Sequence, residues 1–370
     1  SSLDLPVLNA SKNRHGGGDA DCFVAKFLCD GRTLAYCTYL GGSSPEGCSN
    51  VPYHTGEESM LCTQKGLYIV GWTSSNDYPV TANGVQRTNK GVQVHPARSE
   101  PAWNGFITRF NSSGAITAST YLGGPGETSA DNITTDRRGN LYVTGRIYDS
   151  LWCITKGVVQ PFLKFKWSKD HDGSAGYIAK LSADCDSIMY ASYLLAVDGN
   201  NVDAKPTNFM NLAPLQIIVD SMEQAIIIGA SSFNERIPIV GARQTIHGGG
   251  YDAYMTKLNR TATGYIYSSW FGGSGSEHRI NVMKDVSDNF YLGGATWSKD
   301  FPLERPLRTS YSPTIGNSGT GFLSKFSSAG DLLFSTYWLG SDSESVRSMA
   351  IDRCGNLLIL GNTTSSRFPM

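Results

Sequence analysis

The chain repeats one two-part phrase along its length, and this repetition constrains the fold more than any single residue does. The first part has an aromatic, a Lys or Arg, a turn, and a run that ends in Tyr-Leu-Gly-Gly or a variant; its copies are residues 21–42, 103–124, 174–195, 251–273 and 320–340. The second part resembles Asp-x-x-Gly-Asn-Leu-Tyr-Val-x-Gly; its copies are residues 58–73, 131–146, 216–231, 280–295 and 348–363. Supersecondary repeats at this spacing are typical of propellers and solenoids.

Each part predicts a β-hairpin, because two runs rich in Val, Ile, Tyr, Phe and Thr flank a turn of Gly, Asp, Asn or Ser. The second parts have the compact apolar composition of the inner strands of a propeller blade. An inner hairpin followed by an outer hairpin makes a four-stranded blade. Complete blades are therefore predicted at about 58–123, 131–195, 214–273 and 280–340.

The two ends of the chain each carry half a blade. An outer hairpin lies at 21–42 and an inner hairpin at 346–363. Pairing them would complete a fifth blade and remove open sheet edges, which otherwise favour aggregation. The sequence thus predicts an all-β fold, a five-bladed β-propeller of four-stranded antiparallel blades. It forms a single domain over 1–370, with its ring closed by the N- and C-terminal hairpins.

The repeat resembles the SBBP beta-propeller repeats of large secreted and cell-surface bacterial proteins. The strings Asp-Ala-x-x-Phe-Val-Ala-Lys-Phe at 19–27 and Thr-Tyr-Leu-Gly-Gly at 38–42 carry the resemblance. So does the tail Thr-Ser-Ser-Asn-Asp-Tyr-Pro-Val at 73–80, which is echoed near 298–303 and 365–369. The resemblance covers nearly the whole chain. It implies a propeller in an extracellular or cell-surface protein, and it implies no shared activity.

Charge and hydropathy exclude two classes of partner. Lys and Arg number 31 against 32 for Asp and Glu, and the formal net charge is −1. A near-neutral chain has no general attraction to nucleic acid or to an acidic membrane surface. No run of 18 apolar residues occurs, so we expect no membrane insertion.

The eight cysteines fit an oxidising compartment, although spacing alone does not give their connectivity. Cys29 and Cys354 lie in the turns of the two hairpins that are predicted to form the closing blade. A disulfide between them would stabilise the ring, and the alternative is two neighbouring thiols. A second pair is open among four cysteines that are close in sequence: Cys22, Cys37, Cys48 and Cys62.

A base recurs in every outer hairpin and an acid near the turn of most inner hairpins. The bases are Lys26, Arg109, Lys180, Lys257 and Lys325, and the acids are Asp136, Asp220, Asp285 and Asp352. A pair that recurs in every blade indicates architecture rather than catalysis. We therefore predict one internal ion pair per blade.

An acid also follows each Tyr-Leu-Gly-Gly motif, and these acids are Glu46, Glu127, Asp198, Glu277 and Glu344. A ring of carboxylates is a candidate calcium site, since calcium takes oxygen ligands. The alternative is that each carboxylate accepts hydrogen bonds from its own Gly-rich turn. The second interpretation is favoured because no Asp-x-Asp-x-Asp run is present. No cofactor is expected, and calcium is the one weak candidate.

The loops that join inner to outer hairpins vary most in length, and such insertions usually build the binding face of a repeat protein. They span 74–102, 148–174, 232–250 and 297–319. Their aromatic residues are the predicted binding residues: Trp103, Trp152, Phe165, Trp167 and Trp297. The alternative is that these side chains are buried as a cover over the blades.

These patterns favour a non-catalytic extracellular or cell-surface module that binds a protein partner or a surface assembly through its long-loop face. A carbohydrate-binding propeller is the alternative, because exposed aromatics stack on sugar rings. A glycoside hydrolase is a weaker one. It needs paired carboxylates, and Glu57, Glu58 and Asp131 form no consistent triad. No catalytic residue is assigned.

Overall fold

The computed structural model describes most of the chain as strands and turns, with no helix among the described residues. These are residues 3–48, 59–92, 102–147, 153–162, 175–194, 214–231, 237–311, 319–338, 340 and 342–366. The chain divides into two compact units. Unit 1 comprises Ser1–Pro52, Glu58–Lys156 and Trp167–Tyr193, and unit 2 comprises Tyr53–Glu57, Gly157–Lys166 and Leu194–Met370.

The described residues of unit 1 form eleven strands in three antiparallel sheets. The strands are β1 (Cys22–Phe27), β2 (Leu34–Leu40), β3 (Glu46–Gly47), β4 (Met60–Thr63), β5 (Gly66–Thr73), β6 (Asn104–Phe110), β7 (Ile116–Leu122), β8 (Asn132–Thr135), β9 (Leu141–Ile147), β10 (Ala175–Leu181) and β11 (Ile188–Leu194). The hairpin β1–β2 is a sheet of its own. Strands β3 and β4 both pair with β5, which continues through β6 to β7, and β8 to β11 form the third sheet.

In the part of unit 2 that the structure describes there are ten strands, again in three antiparallel sheets. The strands are β12 (Pro214–Val219), β13 (Ala225–Ser231), β14 (Asp252–Leu258), β15 (Tyr265–Phe271), β16 (Glu277–Lys284), β17 (Phe290–Thr296), β18 (Thr320–Phe326), β19 (Leu332–Trp338), β20 (Glu344–Ile351) and β21 (Leu357–Thr363). Strands β12 to β15 and β16 to β19 form two four-stranded sheets in chain order, and β20–β21 is a two-stranded sheet.

The prediction of an all-β fold with four-stranded antiparallel sheets is confirmed. The four larger sheets coincide with the predicted complete blades, because each consists of an inner hairpin hydrogen-bonded to the following outer hairpin. In unit 2 the sheets pack face to face through a core in which Ile228, Phe290 and Phe322 are fully buried. The burial of the central strand β17 follows from its cover on both faces, by the sheet of β12 to β15 on one side and by β20–β21 on the other.

The Asp-x-x-Gly-Asn part of the phrase is a turn closed by its own aspartate. Asp136 Oδ1 accepts hydrogen bonds from the backbone N–H groups of Arg138 and Asn140, each at 2.9 Å. The same pattern recurs in the other inner hairpins at Asp220, Asp285 and Asp352. An Asx turn of this kind fixes the register of the two inner strands.

The second oxygen of the turn aspartate holds the recurring base, and this confirms the predicted ion pair in three blades. Lys180 Nζ lies 3.1 Å from Asp136 Oδ2, Lys257 Nζ lies 2.8 Å from Asp220 Oδ2, and Lys325 Nζ lies 3.2 Å from Asp285 Oδ2. Arg109, whose blade has Thr63 at the turn position of the aspartate, bonds instead to Asp184 Oδ1 at 2.6 Å. The recurring charges thus serve the architecture of the blades.

The long loops run back along the outermost strand of each blade. Val240 pairs with Ser268 of β15, and Glu304 pairs with Ser335 of β19. In unit 1 the N–H group of Thr81 donates to the carbonyl of Ser119 in β7 at 3.0 Å. A loop in this position covers a sheet edge that would otherwise be open. The described parts of these loops therefore protect edges, a role that their length alone did not reveal.

The two terminal hairpins are exposed where the complete blades are buried. Phe23 and Phe27 of β1 are 63% and 58% exposed, and Leu358 and Leu360 of β21 are 56% and 68% exposed. Each hairpin is a two-stranded sheet in its own unit. The fifth blade and the closed ring stay predictions, as does the single domain over 1–370.

Candidate functional site

Three of the predicted carboxylates lie buried at the start of an inner strand, each in a cradle of hydroxyl groups. Glu277 Oε1 accepts hydrogen bonds from Thr296 Oγ1 at 2.7 Å and from Ser298 Oγ at 2.6 Å. Glu46 is bonded in the same way to Thr73 and Ser75, and Glu344 to Thr363 and Ser365. The Thr-x-Ser sequence that follows each inner hairpin is therefore the other half of this site.

Two of the buried glutamates have a second carboxyl group beside them. Asp252 lies beside Glu277, since a methyl group on Gly272 would collide with both Glu277 Oε2 and Asp252 Oδ1. In unit 1, Gly41 lies in the same way against Glu46 and Asp21. The first glycine of the Gly-Gly motif is thus required because a carboxyl pair packs directly on its α-carbon.

Burial dominates the electrostatics of these carboxyls. It raises the pKa of Glu277 to about 8, against the hydrogen bonds from Ser298 and Thr296, and the neighbouring Asp252 raises it further. Burial likewise raises the pKa of Asp252. The pKa of Glu46 is raised to about 7, again mainly by burial. Near neutral pH Glu277 and Glu46 are therefore poised between their charged and neutral forms.

The remaining members of the predicted carboxylate ring do not repeat this arrangement. Glu127 is half-buried. The position of Glu277 is occupied by Thr128, because Thr128 and Glu277 each pair with the last residue of the inner strand that follows. Asp198 lies outside the described residues. Within the part of the chain that the structure describes, no three His, Cys, Asp or Glu side chains converge as a metal site would require. The calcium site stays a prediction.

Trp103, a predicted binding residue, lies immediately before β6 in unit 1 and is half-buried. Its ring centroid is 5.4 Å from that of Trp72 in β5, with the two planes tilted by 48°. The pair lies at the end of the blade where the carboxylate cradle of Glu46 is found, since Thr73 of the cradle follows Trp72. Aromatic surface and buried acid are therefore neighbours in sequence and in the sheet.

Trp297 has the corresponding position in unit 2, between the two cradle residues Thr296 and Ser298. Its ring contacts His278 edge-on with centroids 5.2 Å apart, and His278 in turn lies 5.2 Å from Tyr251. All three rings are half-buried and retain exposed surface. Trp152, Phe165 and Trp167, the other predicted binding residues, lie outside the described residues.

Asp131, the described member of the weak hydrolase candidates, is bound by a neighbouring arginine. Asp131 is 4% exposed, and its Oδ2 accepts a hydrogen bond from Arg146 Nε at 3.0 Å. The arginine side chain is itself only 5% exposed, so the two charges are buried together as an ion pair. This pairing gives Asp131 a structural role at the start of β8.

A groove of about 540 Å³ lies in unit 1 beside the exposed strand β1. It is lined by Lys26, Phe27 and Tyr36 of the terminal hairpin on one side and by residues 62–67 of the β4–β5 hairpin on the other. An exposed strand edge beside an apolar wall is the geometry that accepts a further strand.

The cysteines give one disulfide, between Cys22 of β1 and Cys48 after β3. Sequence spacing had left a pair open among the four N-terminal cysteines, and the structure resolves which two are joined. Cys29 and Cys354 are exposed thiols, each in its own unit, so their predicted bond stays a prediction. A disulfide is compatible with an oxidising, extracellular environment.

A segment at the junction of two sheets in unit 1 matches a known family model. Residues 119–150 match the SBBP beta-propeller repeat. The SBBP match begins in β7 and runs through β8 and β9, so it joins the last outer strand of one sheet to the inner hairpin of the next. It includes the Gly-Gly motif and the aspartate turn at Asp136. No curated protein matches the chain. Among the described residues, no helix is long and apolar enough to cross a membrane.

Proposed function

We propose that this protein is a non-catalytic extracellular or cell-surface module that binds a protein partner or a surface assembly. One observation carries the proposal: the charged groups that recur with the repeat are mostly bonded within the protein. Lys180, Lys257 and Lys325 pair with turn aspartates, and the described buried glutamates bond to Thr and Ser hydroxyls. What the blades leave partly exposed is aromatic surface around Trp103 and Trp297. Half-buried aromatics of this kind are common anchors of protein interfaces.

Trp103→Ala and Trp297→Ala are expected to weaken attachment of the protein to its native cell surface or partner by about tenfold or more each, because truncating an interface tryptophan typically costs about 2 kcal/mol. Binding is measured on the folded variants by surface plasmon resonance. Val286→Ala is the control: it removes a side chain that is 95% exposed in the turn between β16 and β17. Unchanged binding by both tryptophan variants would contradict the proposed anchors.

Trp297→Ala and a further variant, Asp131→Asn, distinguish protein binding from the carbohydrate-binding and hydrolase functions. Binding to a glycan array that disappears in Trp297→Ala would favour the carbohydrate-binding function over the protein partner. Hydrolysis of a polysaccharide by the wild type, lost in Asp131→Asn, would overturn the non-catalytic function. Asp131→Asn preserves the shape of the side chain but removes the charge that pairs with Arg146, so circular dichroism of the variant first establishes that it is folded.

We further propose that the protein works as a closed five-bladed ring, in which the free edge of β21 pairs with the free edge of β1. The complete blades support a specific register. Where an inner strand meets an outer one, the last residue of the inner strand pairs with the first of the outer: Thr73 with Asn104 and Thr296 with Thr320. Cys22 pairs with Leu40 as Gly105 pairs with Leu122, so Asp21 has the position of Asn104. The rule therefore sets Thr363 opposite Asp21, and hence Leu360 opposite Val24.

Three features of the separate units support this pairing. Closure would bury Leu358 and Leu360. It would place β21 beside the free edge of β1, next to the groove. It would also bring Asp352 to Lys26, as Asp136 lies beside Lys180 in a complete blade. Blade 131–195 supports the Cys29–Cys354 bond in the same way. In that blade a methyl group on Gly139 would lie 4.0 Å from the Cβ of Ala183. In the repeat, Gly139 is equivalent to Gly355, which directly follows Cys354, and Ala183 is equivalent to Cys29. The two turns of a complete blade are therefore neighbours.

A further inference from the structure

Asp252 and Glu277 are fully buried, and one carboxyl oxygen of each lies against Gly272. Among the described residues, no donor is hydrogen-bonded to these two oxygens, Asp252 Oδ1 and Glu277 Oε2. Ionised carboxylates are acceptors only, so a hydrogen bond between two of them requires a proton. Two adjacent buried charges of the same sign are otherwise strongly unfavourable.

We propose that Asp252 and Glu277 share one proton in the folded protein, so that the pair carries a single negative charge and acts as a pH-sensitive lock on this end of the blade. The other two carboxyl oxygens already accept hydrogen bonds, so the shared proton lies between Asp252 Oδ1 and Glu277 Oε2. Asp252 Oδ2 accepts from the N–H of Gly248 at 2.6 Å and from Gln244, and Glu277 Oε1 is filled by its two hydroxyl donors.

The surroundings supply little positive charge to stabilise a second ionisation. His247 acts on Asp252 from the loop before β14, and its Nε2 lies 2.9 Å from the carbonyl of Ser231. From β19, Tyr337 faces Glu277 as a neutral phenol whose pKa is raised to about 12 by burial. Asp300, in the loop after β17, adds a further negative charge at this end of the blade and accepts hydrogen bonds from Ser274. The pair therefore favours one charge over two.

The repeat itself contains neutral versions of the pair, which act as internal comparisons. Asn104 has the position of Asp252 and Thr128 that of Glu277. Beside Glu344, the position that corresponds to Asp252 is occupied by Thr320. Glu344 therefore has no acidic residue at that position. In unit 1 the pair of Asp21 and Glu46 is retained, but Lys12 Nζ lies 3.8 Å from Asp21. The lock is thus most sensitive at Asp252 and Glu277.

The sign of the pH dependence follows from the raised pKa of Glu277, which burial moves from 4.5 in the unfolded chain to about 8. Between these values the unfolded chain binds fewer protons than the folded one, so stability is full below about pH 4.5 and falls as the pH rises to about 8. For one proton the folding equilibrium constant falls by about tenfold per pH unit within this window. The loop that carries Trp297 is held by the same carboxylate, so its order follows the pH.

The test compares the thermal unfolding of the wild type, Glu277→Gln and Glu344→Gln from pH 5 to pH 9. A glutamine amide donates to Asp252 without a titrating proton, so Glu277→Gln is expected to lose most of the decrease that the wild type shows. Glu344→Gln is expected to keep it. The infrared band of a buried protonated carboxyl is expected in the wild type at pH 6 and to be absent in Glu277→Gln.

Two results would overturn the shared proton. One is a Glu277→Gln protein that loses stability with pH as steeply as the wild type. The other is a wild type whose melting temperature at pH 8 rises with calcium chloride while that of Glu277→Gln does not, because the pair would then hold a cation. If Glu277→Gln fails to fold, Asp252→Asn provides the same test, since it reproduces the residue found at Asn104.

Discussion

Replacing Leu358 or Leu360 by glutamate is expected to lower the free energy of unfolding by about 3 kcal/mol or more per site. The expectation depends on ring closure. In a closed ring both side chains are buried between blades, and a charge at either site loses its hydration in addition to the leucine's apolar contacts. In an open chain both are more than half exposed, at 56% and 68%, and glutamate would be tolerated. Denaturant unfolding of each variant measures the change.

Val286→Glu and Leu307→Glu are the matched controls. Their side chains are 95% and 72% exposed, and neither belongs to a terminal hairpin. Exposed substitutions of this kind usually change stability by no more than about 0.5 kcal/mol. If Leu358→Glu and Leu360→Glu are as mild as these controls, the ring does not close through β21.

Asp220→Ala is expected to destabilise the protein by about 3–5 kcal/mol, because it leaves the ammonium group of Lys257 buried without its counter-ion. Lys257 and Asp220 are 4% and 3% exposed at their side chains, and Asp220 also closes the turn between β12 and β13. The free energy of unfolding is measured by urea denaturation monitored by circular dichroism.

A double-mutant cycle separates the charge from the turn. Lys257→Met in the Asp220→Ala background is expected to recover part of the loss, because no unpaired charge remains. Asp285→Ala is the matched control: its pair with Lys325 is more exposed, at 16% and 27%, so its loss is expected to be smaller. An equal loss at both sites, with no recovery in the double mutant, would show that the turn and not the ion pair stabilises the blade.

The hairpins, their order and the ion pairs could be predicted from the sequence because they are local and repeated. Strand alternation and turn residues act over a few positions, and five copies remove the ambiguity of one. The base at Lys180 and the acid at Asp136 recur at fixed places in each copy, so their pairing follows from strand register. Arg109 was the exception. Its partner Asp184 belongs to the next blade, and no spacing within the repeat indicates it.

The polar site was predicted only in part. The acids Glu46, Glu277 and Glu344 were identified from the Gly-Gly motif, but Asp252 was not recognised as a partner because 25 residues separate it from Glu277. A usable signal was present in the recurring Thr-x-Ser after each inner hairpin, whose hydroxyls bind the glutamate. Thr128 pairs with Ile147 at the end of β9, as Glu277 pairs with Thr296 at the end of β17. Aligning the repeats by this pairing, rather than by the distance from Gly-Gly, would have selected Thr128 in place of Glu127.

Two further features depended on contacts that periodicity does not encode. The Cys22–Cys48 bond joins a strand to a residue in a loop, and four nearby cysteines left the choice open. The long loops were predicted as a binding face from their variable length, whereas their described parts pair with the outer strands, as Val240 does with Ser268. Sequence variation marks a segment as tolerant of change, and tolerance is shared by binding loops and edge-covering loops.

Hydrogen exchange of the backbone amides of β21 tests ring closure most directly. The amides of Leu357–Thr363 that do not bond to β20 face a free edge unless β1 pairs with them. The account predicts that they exchange as slowly as the amides of β17, which lies between two strands, and that Gly361 and Leu360 are protected together with Phe23 and Val24 of β1. Exchange of those edge amides at the rate of an unpaired strand, with β17 still protected, would contradict the closed five-bladed ring.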